Sequence, residues 1–289
     1  MATQHTEKQQ ILDWLAASQG DMLQLLERLV NIDSWSYDKA GVDRVGEALA
    51  EFLEGHGIDV TRMPVETHGD SFRASVGAAA GNRPIMLLGH RDTVFPTGEV
   101  AKRPFRIAGD RAYGPGVADM KAGLVLNAFV IAAFKKFGGA PAPLIALFTG
   151  DEEIGSPTSR PIIENAAREA RLVFNSEPGR ASGNVVTGRK GGVFMRATVA
   201  GVAAHSGGNY EKGRSAIEEL ARKIQAWHKV TDLEAGITVN VGLIEGGQSV
   251  NTVAPHATAQ IDLRYIEPAQ RDYAVGAIRE IAETCSVED

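Results

Sequence analysis

The stretch Pro84-Ile-Met-Leu-Leu-Gly-His-Arg-Asp92 joins a short apolar run directly to polar residues. Compact apolar runs of this length are typical of strands that are buried on both faces of a parallel sheet. The run Leu144–Phe148 has the same character, and the acids Asp151, Glu152 and Glu153 follow it. Because open α/β sheets bind ligands beyond the carboxyl ends of their strands, we expect chemistry at these strand ends.

Predicted helices alternate with short apolar runs along the first 182 residues. Apolar residues recur at helical spacing from Gln9 to about Ile32, from Gly41 to about Glu54 and from Met120 to about Phe137. A further helix is predicted over Pro161–Arg171, and a strand over Leu172–Asn175 follows it. This alternation predicts an α/β fold with a mostly parallel sheet and helices on both of its faces.

The pattern changes after about Ser182. Later segments alternate apolar and polar residues in the manner of half-exposed strands, and two amphipathic helices accompany them. The strands are predicted at Val185–Thr187, Val193–Val199, Ile237–Ile244 and Ala257–Ile266, and the helices at about Gly213–Val230 and Pro268–Cys285. This order predicts a smaller α+β domain with an antiparallel sheet. We therefore expect one domain at residues 1–182 and a second at residues 183–289.

The composition argues against several classes of function. The chain has 289 residues, 44% of them apolar and 23% charged, which is ordinary for a globular protein with a full core. A net charge of −6 without a basic cluster argues against nucleic acid or a membrane surface as the main partner. The single cysteine, Cys285, excludes an intrachain disulfide and a thiolate zinc site. A polar N-terminus, with no apolar run near the roughly 20 residues of a membrane span, predicts a cytoplasmic protein.

Each polar residue beyond a predicted strand has an ordinary structural explanation beside the functional one. The pair His90 and Asp92 is compatible with a polar surface turn. It is also compatible with a metal site in which His90 binds the ion and the Asp92 carboxylate orients the imidazole. Asp119 fits a helix N-cap, a role compatible with presenting an oxygen to a cation. Glu152 and Glu153 fit a solvated acidic turn. However, carboxylates buried after so apolar a strand require positive charge nearby, and metal ions supply it.

Four segments together carry a resemblance to a known family: Gly89–Thr93, Gly116–Lys121, Thr149–Gly155 and Ser176–Gly179. Their order and local sequences resemble the M20 family of zinc peptidases and amidohydrolases, with the glutamate carboxypeptidase branch the most similar. The resemblance implies two zinc ions in each active site. It implies that His90, Asp119 and Glu177 bind one ion, that Asp119 and Glu153 bind the other, that Glu152 is the general base, and that Asp92 orients His90.

The resemblance extends into the second domain, which corresponds to the lid of these enzymes. There His205 is similar to a histidine that stabilises the oxyanion and often comes from the partner subunit; a structural histidine is the alternative. Asn251 and Arg264 resemble residues that bind the substrate carboxylate, for which a guanidinium is well shaped. A turn asparagine and a solvated arginine are the alternatives. The implied partners are a small amino-acid or peptide substrate and a second copy of the chain, as a homodimer through the lid.

One ligand of the family pattern has no counterpart in this sequence. Members of the family return from the lid to the catalytic domain and supply a final zinc-binding histidine there. No histidine after Glu177 fits that place, because His205, His228 and His256 all belong to the lid. We therefore expect one complete zinc ligand set and one that lacks a residue. Two explanations stay open: a part of a longer protein, or a truncated product with impaired metal binding.

The motif set implies zinc-dependent hydrolysis of an amide bond next to a free carboxylate. A C-terminal glutamate and an N-acyl amino acid both offer such a bond. Alternatives also stay open: a non-catalytic zinc-binding protein of the same fold, a dimerisation module, or an aminoacylase or dipeptidase specificity.

Overall fold

The computed structural model describes residues 2–77 and 81–287, and it describes side chains from Thr6 onward. The chain divides into two compact units, Met1–Val185 and Val186–Asp289. In the first unit the helices are α1 (Ala2–Ala17), α2 (Gln19–Val30), α3 (Lys39–Gly55), α4 (Glu99–Lys102), α5 (Ala122–Phe137) and α6 (Arg160–Glu169). Its strands are β1 (Val60–Met63), β2 (Ser71–Val76), β3 (Ile85–His90), β4 (Arg106–Ala108), β5 (Arg111–Tyr113), β6 (Leu144–Thr149) and β7 (Leu172–Asn175).

The first unit is built on a five-stranded sheet with the order β1-β2-β6-β3-β7. Strands β6, β3 and β7 are parallel, whereas β2 pairs antiparallel to β6 and to β1. The predicted α/β fold is confirmed, although the antiparallel β2 makes the sheet mixed. The parallel register places His90 beside Thr149 and Leu88 beside Asn175, so the three parallel strands end at the same edge.

Helices cover both faces of this sheet, as the alternation of elements predicts. On one face, α5 packs with α2 and α3 in a core that includes Leu29, Leu49 and Phe129, all 1% exposed or less. On the other face, Met86 and Leu147 pack against α6. Burial of each such side chain contributes about 1.5–3 kcal/mol to folding. The two apolar layers hold the parallel strands, and therefore their carboxyl ends, in a fixed arrangement.

The central helix corrects one expectation about membrane spans. The stretch Val117–Phe137, which includes α5, has 21 residues, and an 18-residue window within it has a mean hydropathy of 1.7, enough in length and composition to cross a membrane. The prediction that no apolar run approaches this length is therefore wrong. However, 61% of that window is buried inside the protein, which is the behaviour of a core helix.

The N-terminal helix is also shorter than its periodicity suggests. A single helix is predicted from Gln9 to about Ile32, but the structure has α1 and α2 with a break at Ser18. The Ser18 hydroxyl donates to the Trp14 carbonyl at 2.7 Å, so the side chain competes for a backbone acceptor at the end of α1. The apolar pattern continues through the break because both helices bury residues in the same core.

The second unit has the predicted β-α-β-β-α order. Its elements are β8 (Gly191–Ala200), α7 (Ala216–His228), β9 (Thr238–Gly246), β10 (His256–Tyr265) and α8 (Pro268–Glu283). The strands form an antiparallel sheet with the order β8-β10-β9. Both helices contribute to one core beside it, in which Trp227 of α7 donates from Nε1 to the Ile278 carbonyl of α8 at 3.1 Å. The strand predicted at Val185–Thr187 is wrong, because this segment has no strand partner among the described residues.

Candidate metal centre

His90 is the last residue of β3, and its imidazole is buried. The ring nitrogen Nε2 lies 3.3 Å from Asp119 Oδ1 and 3.5 Å from Glu177 Oε1. One potential ligand atom from each of these three residues lies within 4.8 Å of the others. An imidazole and two carboxylates at this spacing form a donor set that suits a divalent metal ion. The structure thus brings together the three residues that the family resemblance assigns to one ion.

Asp92 is fully buried and connects His90 to the acidic pair. Its Oδ1 lies 3.3 Å from His90 Nδ1, and its Oδ2 accepts a hydrogen bond from the Ser36 hydroxyl at 2.7 Å. The backbone N–H groups of Glu152 and Glu153 donate to Oδ1 and Oδ2, each at 3.1 Å. One carboxylate therefore orients the imidazole and also fixes the backbone on which the two glutamates stand.

Asp119 lies in Val117–Lys121, a distorted helical turn just ahead of α5. The N-cap position of α5 is Lys121, and no side chain caps this helix. The prediction that Asp119 is a helix cap is therefore wrong. Its φ of −116° and ψ of 97° take the residue out of helical geometry, and its carboxylate lies against His90 instead. Buried Lys121 anchors the turn by donating from Nζ to the Ile32 carbonyl at 2.8 Å.

The acidic pair stands in a short 3-10 turn, Glu152–Ile154, directly beyond β6. Glu152 Oε2 lies 3.8 Å from His90 Nε2, and about half of this side chain is exposed. Glu153 lies outside the group formed by the other three candidate ligands. Its predicted role as a ligand of a second ion therefore stays a prediction.

A third acid, Asp151, holds the loop that carries this pair. It is fully buried, and its Oδ2 accepts hydrogen bonds from the Thr158 backbone N–H at 2.7 Å and from the Thr158 hydroxyl at 2.6 Å. Its two oxygens also accept from the backbone N–H and the hydroxyl of Ser159. Asp151 thus closes the loop that begins with the two glutamates.

The site concentrates negative charge around one imidazole. Burial and the nearby carboxylate of Glu177 raise the pKa of Asp119. Burial, reinforced by neighbouring carboxylates, raises the pKa of Glu153 to about 7. Burial opposes the protonation of His90, but the carboxylates of Asp92 and Glu177 outweigh it and raise the pKa of this histidine to about 11. Each of these shifts shows that the site favours an added positive charge.

One buried atom tests whether the residues present fit a metal. His90 Nε2 is buried and forms no hydrogen bond with the described residues, although carboxylate oxygens lie 3.3 and 3.5 Å away. Buried polar atoms without a partner are rare in folded proteins. The nitrogen points into a set of oxygen donors, and Nδ1 is held by Asp92. This is the arrangement of a metal-binding histidine, so the residues fit an ion.

Comparison with known proteins relates the chain to a family. Residues 187–289 match the family model of the M20 peptidase dimerisation domain. Carboxypeptidase G2 of Pseudomonas sp. (strain RS-16) is 30% identical over 266 residues, which cover 91% of this chain and 64% of the relative. The chain is similar to the M20 family. Acetylornithine deacetylase of Proteus mirabilis is 30% identical over 264 residues, which cover 84% of this chain and 66% of the relative. The chain thus spans less than two thirds of the length of each of these M20 relatives.

Solved structures share the M20 fold. A tripeptidase from Staphylococcus aureus superposes with a TM-score of 0.76 at 22% identity, covering 91% of this chain and 70% of that one. An M20 family metallo-carboxypeptidase from Sulfolobus solfataricus gives a TM-score of 0.74 at 18% identity, covering 92% of this chain and 77% of that one. At these identities the likeness establishes the fold.

Two of the three residues for which the sequence predicts a role in substrate binding or oxyanion stabilisation lie close together in the second unit. The chain around His205 pairs with the chain around Asn251, since the Ser206 backbone N–H donates to the Asn251 carbonyl at 3.0 Å. Arg264 lies eight residues beyond His256 at the far end of β10, a separation of about 27 Å at 3.4 Å per residue. Within one chain, the structure therefore does not bring Arg264 to Asn251.

A buried arginine that no sequence motif identifies connects the site to its surroundings. Arg91 follows His90 directly and is fully buried. Its guanidinium donates to the carbonyls of Val42 and Thr149 at 2.8 and 3.2 Å, and also to the carbonyl of Asp70. These three carbonyls belong to separate segments, so Arg91 fixes the end of β3 against them. The one signal in the sequence is an arginine directly after a buried strand, which by itself indicates no partner.

Asp70 connects this arginine to a second group of charges. Its carboxylate is nearly buried and accepts hydrogen bonds from Lys39, from Arg62 Nε at 2.5 Å and from the Val65 backbone N–H at 2.8 Å. Burial opposes ionisation, but these donors outweigh it and lower the pKa of Asp70 to about 2.

Replacement of Asp70 by asparagine is expected to lower the free energy of unfolding by about 2–3 kcal/mol at pH 7, because it removes the ionised carboxylate that the folded protein stabilises through Lys39, Arg62 and the Val65 backbone N–H. The folded-state pKa of about 2 lies below the ordinary 3.8. The stabilisation is therefore present above about pH 4 and is lost as the pH falls toward 2. Urea unfolding at pH 7 and at pH 3 measures both values, with exposed Asp59→Asn as the matched control. An equal loss in the two variants, or a loss independent of pH, contradicts the assignment.

Proposed function

We propose that the chain carries the metal centre of an M20 hydrolase that cleaves an amide bond next to a free carboxylate. The observation that carries this proposal is the buried His90 imidazole, which faces Asp119 and Glu177 with Glu152 3.8 Å away. It combines a set of metal ligands with a carboxylate that lies beside them without belonging to the set. That combination is what metal-assisted hydrolysis requires.

We propose Zn²⁺ as the ion, because the donor set is nitrogen and oxygen from His and carboxylates. A zinc ion held by these residues would supply a Lewis acid and would make water easier to deprotonate at neutral pH. Asp92 holds the Nδ1 side of His90, which leaves Nε2 as the atom that faces the ion. The roles of Asp119 and Glu177 are to provide the oxygen donors opposite this nitrogen.

Glu152 is the proposed general base. Its carboxylate is half exposed, so substrate and water have access to it, and burial raises its pKa. A raised pKa improves a carboxylate as a proton acceptor at neutral pH. Glu152 takes the proton of the attacking water and returns it to the nitrogen of the leaving amine. Asp92 keeps this glutamate in place through the hydrogen bond to its backbone N–H.

The second unit supplies the proposed substrate contacts. His205 is proposed to stabilise the oxyanion, and Asn251 and Arg264 are proposed to bind the substrate carboxylate. Arg264 is half exposed and ion-paired with Asp262 at 2.8 Å, so a substrate carboxylate would compete with that pair. Because residues 187–289 match a peptidase dimerisation domain, we propose that two copies of this unit associate.

The substrate class follows from the names of the relatives. A carboxypeptidase acts next to a free carboxyl terminus, and acetylornithine has an amide next to its carboxylate. A C-terminal glutamate or an N-acyl amino acid is therefore the proposed substrate. Substrates with a C-terminal glutamate and N-acyl amino acids differ in the group on the acyl side of the amide that is cleaved.

Zinc content and metal-dependent turnover test this function together. We expect at least one zinc per chain after dialysis against trace zinc, and amine release from an N-acyl glutamate that stops on chelation and returns with added zinc. Elemental analysis of the gel-filtered protein measures the first value, and an amine-detecting assay measures the second. Fewer than about 0.1 zinc per chain, or turnover that survives complete chelation, would refute the proposal.

A further inference from the structure

A cavity of about 390 Å³ lies between α4 and the β4–β5 hairpin of the first unit. Its lining includes three cationic side chains, Lys102, Arg103 and Arg106, and contains no acidic residue. A cavity of this volume has room for a small molecule. The proposed hydrolytic mechanism uses none of these residues.

Aromatic rings fix the two arginines of this cavity. The Arg103 guanidinium lies over the ring of Phe95, 4.9 Å from its centre, and the Arg106 guanidinium lies over Tyr113 at 4.1 Å. A guanidinium that stacks on a ring has a defined plane and can still donate from its edge. The arginine side chain then loses less conformational entropy when its edge N–H groups bind a ligand.

The charges around the cavity are not balanced. Glu99 accepts from Arg103 at 2.7 Å and from Lys102 at 3.3 Å, so one carboxylate serves two cations. Arg106 forms no ion pair with any described residue. The cavity therefore has an excess of two positive charges, in a chain whose net charge is −6. Such an excess in a concave site attracts anions.

The inner wall of the cavity is the loop that leads to the candidate metal centre. Gly114 and Val117 line the cavity, and Asp119 follows two residues later. The loop packs closely at Gly116, where an added Cβ would lie 2.5 Å from Thr93 Cγ2. Gly116 also has a φ of +71°, which other residues rarely adopt. The cavity and the metal centre thus share one closely packed segment.

We propose that this cavity is a binding site for a small oxyanion, a carboxylate or a phosphate group, separate from the metal centre. Arg103 and Arg106 bind the anion through the edges of their guanidinium groups, and Lys102 adds charge at the rim. Guanidinium groups match both carboxylate and phosphate oxygens, so the shared chemistry is an oxyanion with at least two acceptor oxygens.

Calorimetric titration with two probes tests the site and separates the two sources of oxyanion. Inorganic phosphate and glutarate are titrated separately into the full chain, both zinc-loaded and after chelation. The chelated protein removes any binding of anions to the metal. The test variant is the double substitution Arg103→Gln and Arg106→Gln, and the matched control is Arg160→Gln with Arg168→Gln, two exposed arginines of α6. Circular dichroism confirms that both variants fold.

We expect at least one probe to bind with a millimolar or lower Kd in both metal states. Its affinity should fall at least tenfold in the Arg103/Arg106 variant and stay within twofold of the parent chain in the α6 control. The tighter probe identifies the oxyanion as carboxylate or phosphate. Absence of binding below 10 mM for both probes overturns the proposal, as does equal weakening in both double variants. The result does not depend on hydrolytic activity, so it stands apart from the proposed function.

Discussion

Replacement of Glu152 by glutamine is expected to lower kcat for hydrolysis of an N-acyl glutamate by about two to four orders of magnitude. The amide is nearly isosteric with the carboxylate but does not accept a proton from water. Glu152 lies outside the three-residue metal group, so zinc content should stay unchanged. Because the side chain is half exposed, folding should also be unaffected. Steady-state kinetics and elemental analysis of the same sample measure these effects together.

A matched control separates the loss of a base from the loss of a charge. Glu164→Gln removes an exposed carboxylate of α6 that pairs with Arg160 and Arg168, and it should leave kcat unchanged. A Glu152→Gln protein that keeps more than a tenth of the parent kcat is incompatible with Glu152 as the base. A parallel loss of zinc would assign Glu152 to the ligands instead.

Replacement of Asp119 by asparagine is expected to weaken zinc binding by at least about 100-fold. Even residues that only orient a metal ligand change affinity 10–100-fold, and Asp119 is proposed to be a ligand itself. The same substitution should leave the metal-free protein as stable as the parent or more stable. The reason is that burial and the nearby carboxylate of Glu177 both disfavour the ionised form of Asp119 and so raise its pKa. A residue with a purely structural role would instead lose stability without changing zinc affinity.

Competition with a chromogenic chelator measures zinc affinity, and thermal unfolding of the chelated protein measures stability. Asp110→Asn, in the exposed turn of the β4–β5 hairpin, is the control, and neither quantity should change. Asp119→Asn is expected to lower the zinc affinity but not the stability of the metal-free protein, and this combination makes the test decisive. A fall in the melting temperature of the metal-free variant with zinc affinity unchanged would show that Asp119 serves the fold and not the metal.

Sequence patterns predict the position of those site residues that follow a regular strand. The apolar run before His90 and the run before Glu152 each predict a buried strand, and both strands are present. Their parallel pairing then brings the two strand ends together without further information. The layered α/β fold and the β-α-β-β-α order of the second unit follow from the same kind of periodicity.

Contacts between distant segments were not predictable in this way. Ser36, Arg91 and Asp151 hold the site through hydrogen bonds whose partners no local pattern identifies. Asp119 illustrates the opposite error, since an acid before a helix predicts a cap, whereas tertiary contacts place its carboxylate against His90. Arg264 illustrates a third limit, because a motif match does not reveal on which end of a strand a residue stands.

The hydrogen bonds of Asp92 have a consequence for how the site is formed. Asp92 binds residues 56, 60 and 61 positions away in sequence, on both sides of it. Glu177, one of the three candidate ligands, is later still in the chain. The hydrogen bonds that support the site and the donor set itself join segments from Ser36 to Glu177, so the complete set of ligands requires most of the first unit to be folded. Metal binding at this site is therefore coupled to folding of the whole unit and not to any local segment.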